Sequence, residues 1–62
     1  MVSINDIENL IKDLNNTEIS INEGNEGYYL DISGDYEELR RFNLISEIYD
    51  YLKNLIKNEV IQ

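Results

Sequence analysis

The sequence predicts one small α+β domain, a two-layer α-β-β-α fold in which both helices cover one face of an antiparallel β-hairpin. Three observations lead to this prediction. Apolar residues recur at helical spacing in two segments, apolar and polar residues alternate in two segments between them, and a glycine-containing turn joins the alternating segments. The chain has 62 residues, which fits a single domain over residues 1–62 with a core just large enough to fold.

The first helix is predicted over residues 3–15. Its isoleucines and leucines are spaced three and four residues apart, so they fall on one face of a helix. Ser3 is placed to cap the helix, and Asp6 follows three residues later, near the positive end of the helix dipole. Asn15 and Asn16 supply a stop, because asparagine tolerates the left-handed conformation common just past a helix.

Two strands are predicted over residues 17–22 and 28–33, where apolar and polar residues alternate. The alternation places Glu18 and Asp31 on the polar outer face of the hairpin. The connection over residues 23–27 contains two glycines and an asparagine, which reach positive φ at low cost. The length of this connection leaves the register of the hairpin open.

The second helix is predicted over residues 36–59, with Asp35 and Glu38 as a capping box at its start. A helix of that length reaches about 36 Å, whereas a seven-residue strand spans about 23 Å. Either the helix breaks near Asn43, because asparagine favours local side-chain to backbone bonding, or its C-terminal half extends past the strands.

An extended C-terminal half would expose apolar surface that needs a partner. The chain has no disulfide or metal support, so pairing of two copies would also supply stability. The residues predicted for such self-association are Tyr51, Leu52, Leu55 and Ile56. A bend near Asn43 would instead fold this half onto the core and leave a monomer.

Cysteine and histidine are both absent. Their absence excludes disulfides, Cys/His zinc sites, iron–sulfur ligation, thiol catalysis and histidine acid–base chemistry. Hydrolysis by paired carboxylates needs a walled cleft, which two helices on a hairpin do not build. Residues 22–27 and 31–35 do not match a calcium-binding loop. We therefore expect no enzymatic activity, no cofactor and no metal.

The N-terminus has neither a basic region nor the apolar run of a signal peptide. No window approaches the roughly 18 apolar residues that a membrane span needs. The expected location is therefore intracellular, in the cytoplasm.

Charge is the most informative feature of the sequence. Thirteen acidic residues stand against five basic ones, a formal net charge of −8. No basic residue lies between Lys12 and Arg40, and that segment generates the whole net charge. Such a field opposes direct binding to nucleic acid or an anionic membrane and attracts a basic protein.

The acidic side chains have two interpretations. They are ordinary solubilising charges, or together they form one acidic surface that acts as a decoy for the Arg/Lys groove of a nucleic-acid-binding protein. Carboxylates on alternate residues of a strand lie about 6.7 Å apart, which approximates every second phosphate of a DNA strand. An outward-pointing Tyr29 would add an aromatic anchor for a partner or would only pack across the strands, whereas Tyr28 and Tyr49 are expected in the core. The predicted partner-binding residues are Glu18, Glu23, Glu26, Tyr29, Asp31, Asp35, Glu37 and Glu38.

The opening Ser3-Ile4-Asn5-Asp6-Ile7 resembles the start of a family of small acidic inhibitors of bacterial defence encoded by phages and mobile elements, the anti-CRISPR proteins that block Cas9. The resemblance covers roughly the first third of the chain. This chain is shorter than the inhibitor whose start it resembles and is expected to lack the third strand of that inhibitor. No functional residue of the inhibitor is therefore assigned to a position in this chain. The resemblance implies acids that occupy the site where Cas9 arginines read duplex DNA next to the target.

The sequence thus predicts a non-enzymatic acidic protein-binding inhibitor of the DNA-mimic, anti-CRISPR-like type, which occupies the basic site of a nucleic-acid-binding protein. The alternative is a small structural or regulatory protein that self-associates through its C-terminal helix. Salt separates the two, because an electrostatic decoy loses affinity as ionic strength rises and an apolar dimer does not.

Overall fold

A computed structural model describes all residues from Met1 to Gln62. Its elements in chain order are α1 (Ile4–Ile11), β1 (Thr17–Gly24), β2 (Gly27–Gly34), β3 (Glu38–Phe42) and α2 (Ile45–Lys57). The strands form one antiparallel sheet in the order β1-β2-β3. The predicted α+β class is confirmed, but the architecture is α-β-β-β-α, with one strand more than the hairpin.

The capping box of α1 forms as predicted. The Ser3 hydroxyl oxygen accepts a hydrogen bond from the Asp6 backbone N–H at 3.4 Å, and the Asp6 carboxylate accepts one from the Ser3 N–H at 2.9 Å. The helix ends at Ile11, earlier than the predicted residue 15. An α-helix would direct the Asn16 N–H to the carbonyl four residues back, but this N–H donates to the Gln62 carbonyl at 2.9 Å.

The predicted hairpin is present, and both strands are longer than expected. Gly24 pairs with Gly27, so Asn25 and Glu26 form a two-residue turn. Gly27 has φ 126°, a conformation that glycine adopts without a Cβ penalty. This short turn leaves more residues in the strands and sets the register, in which Ile21 faces Leu30.

The predicted helix over residues 36–59 is wrong in its first third, which contains β3 and the turn that precedes it. Leu39 and Phe42 are three residues apart and imitate helical spacing, but in β3 they lie on opposite faces of the sheet. Glu38 does not cap a helix. Its carboxylate accepts hydrogen bonds from the hydroxyls of Tyr36 and Tyr51. The third strand that was expected to be absent is therefore present.

The chain changes direction at Asn43 and Leu44, between β3 and α2. The Glu47 carboxylate accepts hydrogen bonds from the backbone N–H groups of Leu44 at 2.9 Å and Asn43 at 3.1 Å. Leu44 has no side-chain acceptor, so only the glutamate half of a capping box exists. The 13 residues of α2 span about 20 Å, which is shorter than the about 26 Å of the eight-residue strands. The long continuous helix, and the overhang it implied, do not form.

The buried core contains only apolar side chains: Ile7, Leu30, Ile32, Ile48, Leu52 and Ile61. Leu30 and Ile32 share one face of β2, and residues of α1 and α2 pack on them. Both helices therefore cover the same face of the sheet, as predicted, and leave the other face uncovered. No helix is both long and apolar enough to cross a bilayer.

Candidate protein-binding surface

The face of the sheet that points away from the helices is here called the open face. Its residues follow from the alternation and the register of the three strands. They are Glu18, Ser20 and Asn22 on β1, Tyr29, Asp31 and Ser33 on β2, and Leu39 and Arg41 on β3. None of them is buried, so the whole face is available to another molecule.

Four acidic residues gather where β2 leads into β3; together they are the acidic end, Glu18, Asp31, Asp35 and Glu37. Glu18 lies opposite Ser33, and Ser33 is two residues from Asp31 on β2. Glu18 and Asp31 are therefore diagonal neighbours, with Cα atoms about 7–8 Å apart. Asp31 and Glu37 line one shallow hollow of about 300 Å³. The backbone N–H of Asp35 donates a hydrogen bond to the carbonyl oxygen of Asn16, the residue before β1, at 3.2 Å. This bond holds the turn after β2 beside Glu18.

The arrangement of the acids differs from the predicted row. Each of β1 and β2 presents one acid on the open face, because Ser20 and Ser33 occupy the other positions at this end. The carboxylates therefore run diagonally across the sheet and into the turn after Gly34, not along one strand.

The acidic end lacks cations. The one ion pair of the protein joins Arg40 and Glu38 at 3.7 Å, so no lysine or arginine nitrogen lies within 4 Å of the four carboxylates. All four residues are exposed. Unpaired charges of one sign on an open face project a negative potential into solvent.

Glu38, also predicted to bind a partner, lies on the helix-facing side of β3 in a group here called the Tyr51 cluster: Tyr36, Glu38, Arg40, Phe42 and Tyr51. The Tyr51 ring lies 5.3 Å from the Phe42 ring and under the Arg40 guanidinium, 5.0 Å from its carbon. Burial, and then the hydrogen bond to Glu38, raise the pKa of Tyr51 to about 12. Glu38 thus joins β3 to α2.

Glu23 and Glu26 lie at the hairpin tip, the opposite end of the sheet. Five residues of strand separate Glu18 from Glu23, about 17 Å. The guanidinium of Arg41 donates to the Glu26 carbonyl at 2.6 Å and to the Asn43 side-chain oxygen at 2.7 Å. A cation therefore stands at the tip, and the single acidic surface expected from the sequence is divided in two.

Tyr29 points to the open face as predicted, opposite Asn22 and Arg41. Its ring lies over Gly24, where an added Cβ would stand 3.0 Å from the ring carbon Cε2. The side chain is half-buried. Tyr29 therefore packs across the strands on the tip side of Asp31, its neighbour two residues along the same face of β2.

The residues predicted for self-association do not form an exposed surface. Leu52 is completely buried, and Tyr51, Leu55 and Ile56 are half-buried against the core. The open face instead exposes Leu39, which retains 71% of its accessible surface beside Asp31. Leu39 is not among the predicted site residues, because the helix predicted over residues 36–59 places it in the apolar stripe.

No family model, curated protein or solved structure matches the chain. No three His, Cys, Asp or Glu side chains are grouped so that they could hold a metal ion. The function must therefore be inferred from the geometry of the open face.

Proposed function

We propose that the protein is a non-enzymatic inhibitor that places its acidic end in the basic site of a nucleic-acid-binding protein. The observation that carries the proposal is the group of four exposed carboxylates without a paired cation, two on the sheet face that no helix covers and two in the turn that adjoins it.

The distribution of charge supports a directed surface over general solubility. The eight acids between Lys12 and Arg40 leave five acids elsewhere in the chain, equal in number to its five bases. The excess charge is thus confined to the sheet and its connections. A localised field of this kind orients an approaching basic protein and accelerates encounter, and salt screens it.

The spacing of the carboxylates suits a groove that reads phosphates. The Cα atoms of Glu18 and Asp31 are about 7–8 Å apart. Neighbouring phosphates of one DNA strand advance about 3.4 Å along the helix axis and also rotate around it, so their separation in space is similar, about 7 Å. Arginines placed to contact neighbouring phosphates could therefore contact these two carboxylates. Leu39, exposed beside Asp31, adds apolar contact area that a purely electrostatic surface lacks.

The test is capture followed by competition. The immobilised protein is exposed to a lysate of the source cells at low salt, retained nucleic-acid-binding proteins are purified, and their binding is measured as salt and duplex DNA are raised. The proposal expects both additions to release the partner. Retention that is insensitive to salt and to DNA contradicts it.

The capture needs a control for net charge alone. Reversal of Glu18, Asp31 and Glu37 to lysine should abolish capture. Glu8, Asp50 and Glu59 are exposed and lie outside the stretch between Lys12 and Arg40. Their reversal to lysine changes the net charge equally and should leave capture largely intact. Equal loss in both variants would mean that net charge, not the acidic end, retains the partner.

A further inference from the structure

β1 is an edge strand with one uncovered side. It pairs with β2 alone, and its eight residues make one further hydrogen bond, from the Gln62 N–H to the Thr17 hydroxyl at 3.4 Å. From Glu18 to Gly24, the backbone N–H and C=O groups that point away from β2 have no partner in the chain. Such a row of free groups is a template for another strand.

The two edges of the sheet differ. β3 has five residues, and two of them are Arg40 and Arg41; short length and cations are ordinary protections of an edge. β1 has eight residues, with no proline and no lysine, and its ladder to β2 continues without a bulge from Thr17 to Gly24. β1 is the long, regular and unprotected edge.

The helix layer leaves the β1 side of the core incompletely covered. Ile19 and Ile21 face the helices but are half-buried, whereas Ile32 and Leu30, which lie directly opposite them on β2, are 1% and 0% exposed. Apolar side chains of an added strand would lie beside Ile19 and Ile21 and cover them.

Charge decides which strand fits. The charged residues of β1 are Glu18 and Glu23, and Asp31 lies on the adjacent strand. A second copy would bring the same glutamates and another net charge of −8 to this edge, and like charges across strands are destabilising. A strand with lysine or arginine at alternate positions would pair with Glu18 on the open face.

We propose that the β1 edge receives an extended basic segment of the partner as a fourth strand of the sheet. The segment hydrogen-bonds to β1 between Glu18 and Gly24, its apolar side chains cover Ile19 and Ile21, and its cations lie beside the acidic end. This rests on the proposed function and specifies how the partner is held: main-chain bonds supply affinity, and the alternation of cationic and apolar side chains supplies selectivity.

The probe is an eight-residue peptide of alternating lysine and valine with blocked ends, matched to the eight residues of β1. Its control is the same peptide methylated at every backbone nitrogen, which keeps the side chains and removes the donors. Binding is followed by amide hydrogen exchange of the protein. With about nine-tenths of the protein bound, exchange of β1 amides that point away from β2 should slow about tenfold, and the methylated peptide should have no such effect.

The remaining outcomes overturn the inference and are distinguishable from failure of the proposed function. If the peptide binds in a salt-sensitive manner and Glu18→Lys/Asp31→Lys removes binding, but β1 exchange is unchanged, the acidic end binds without strand addition. If no peptide binds while the purified partner still does, strand addition is likewise wrong and the proposed function stands. A doubled mass with β1 amides already protected in the free protein means that a second copy occupies the edge.

Discussion

The hydroxyl of Tyr51 on α2 donates a hydrogen bond to the carboxylate of Glu38 on β3. This bond joins α2 to β3, the strand that the sequence pattern did not predict. The Tyr36 hydroxyl donates to the same oxygen at 3.4 Å. The Arg40 guanidinium contacts both partners, 3.7 Å from the Glu38 carboxylate and 5.0 Å from the centre of the Tyr51 ring. β3 has charged residues at two of its helix-facing positions, and this cluster gives both of them partners.

Tyr51→Phe should therefore destabilise the protein. It removes a hydrogen bond to a carboxylate, and because the pair is partly exposed we expect a loss of about 1 kcal/mol, below the about 1.5–3 kcal/mol of hydrogen bonds to charged groups. In a domain of this size that loss lowers Tm by about 4–8 °C. Tyr49→Phe is the matched control, since the Tyr49 hydroxyl makes no hydrogen bond within the chain. Equal shifts in the two variants on thermal unfolding would contradict the assigned role.

The raised pKa of Tyr51 also predicts that the stability of the fold depends on pH. Its pKa is raised from 10.0 to about 12 in the folded state, so folding favours the neutral phenol. The resulting stabilisation is fully present below pH 10 and is lost as the pH rises towards 12. In a spectrophotometric titration, the ionisation of Tyr51 should appear as a late step near pH 12. Tyr51→Phe should remove that late step, and a late step that persists in this variant belongs to another residue.

Gly34 closes the other end of the hairpin and should tolerate no side chain. It has φ 120°, and an added Cβ would stand 2.3 Å from the Asn16 carbonyl oxygen. Gly34→Ala should cost at least about 2 kcal/mol through backbone strain and this clash, measured by urea unfolding. Gly24→Ala is the control, because its Cβ would meet only the Tyr29 ring at 3.0 Å and no backbone atom closer than 3.9 Å. Comparable losses in both variants would mean that the close approach at Gly34 is not what restricts the residue.

The sequence predicts the parts of the fold in which local pattern and tertiary structure agree. Two examples are the capping box of Ser3 and Asp6 and the alternation around Ile19 and Ile32. Both can be recognised from residues that are close together in the sequence. β3 could not be recognised, because two of its three helix-facing positions are charged and their partner Tyr51 lies in another element. Ile61 was missed for a similar reason, since it follows the end of α2 and is buried only because the chain returns to the core.

The candidate site was predictable to the same degree. Alternation placed Glu18 and Asp31 on the outer face of the sheet, where the structure has them. The glycine-containing connection also placed Glu23 and Glu26 at the hairpin tip, but the cation that stands there, Arg41 of β3, was not accessible from the pattern. Leu39 became visible as an exposed neighbour of Asp31 only when its segment proved to be a strand.

The division of the acids into two groups gives the sharpest test of the binding surface. Glu18→Lys/Asp31→Lys and Glu23→Lys/Glu26→Lys make the same change in net charge, and both pairs come from the segment without basic residues. The first pair should weaken binding of the captured nucleic-acid-binding protein by at least about tenfold at low salt, because each lysine would face a cation in the partner's groove. The second should have a smaller effect, since a cation already stands at the tip. Both variants should keep the wild-type circular dichroism spectrum, because exposed charges contribute about 0–1 kcal/mol to stability. If the tip variant loses as much affinity as the acidic-end variant, or if the difference persists undiminished at high salt, the acidic end is not the contact surface.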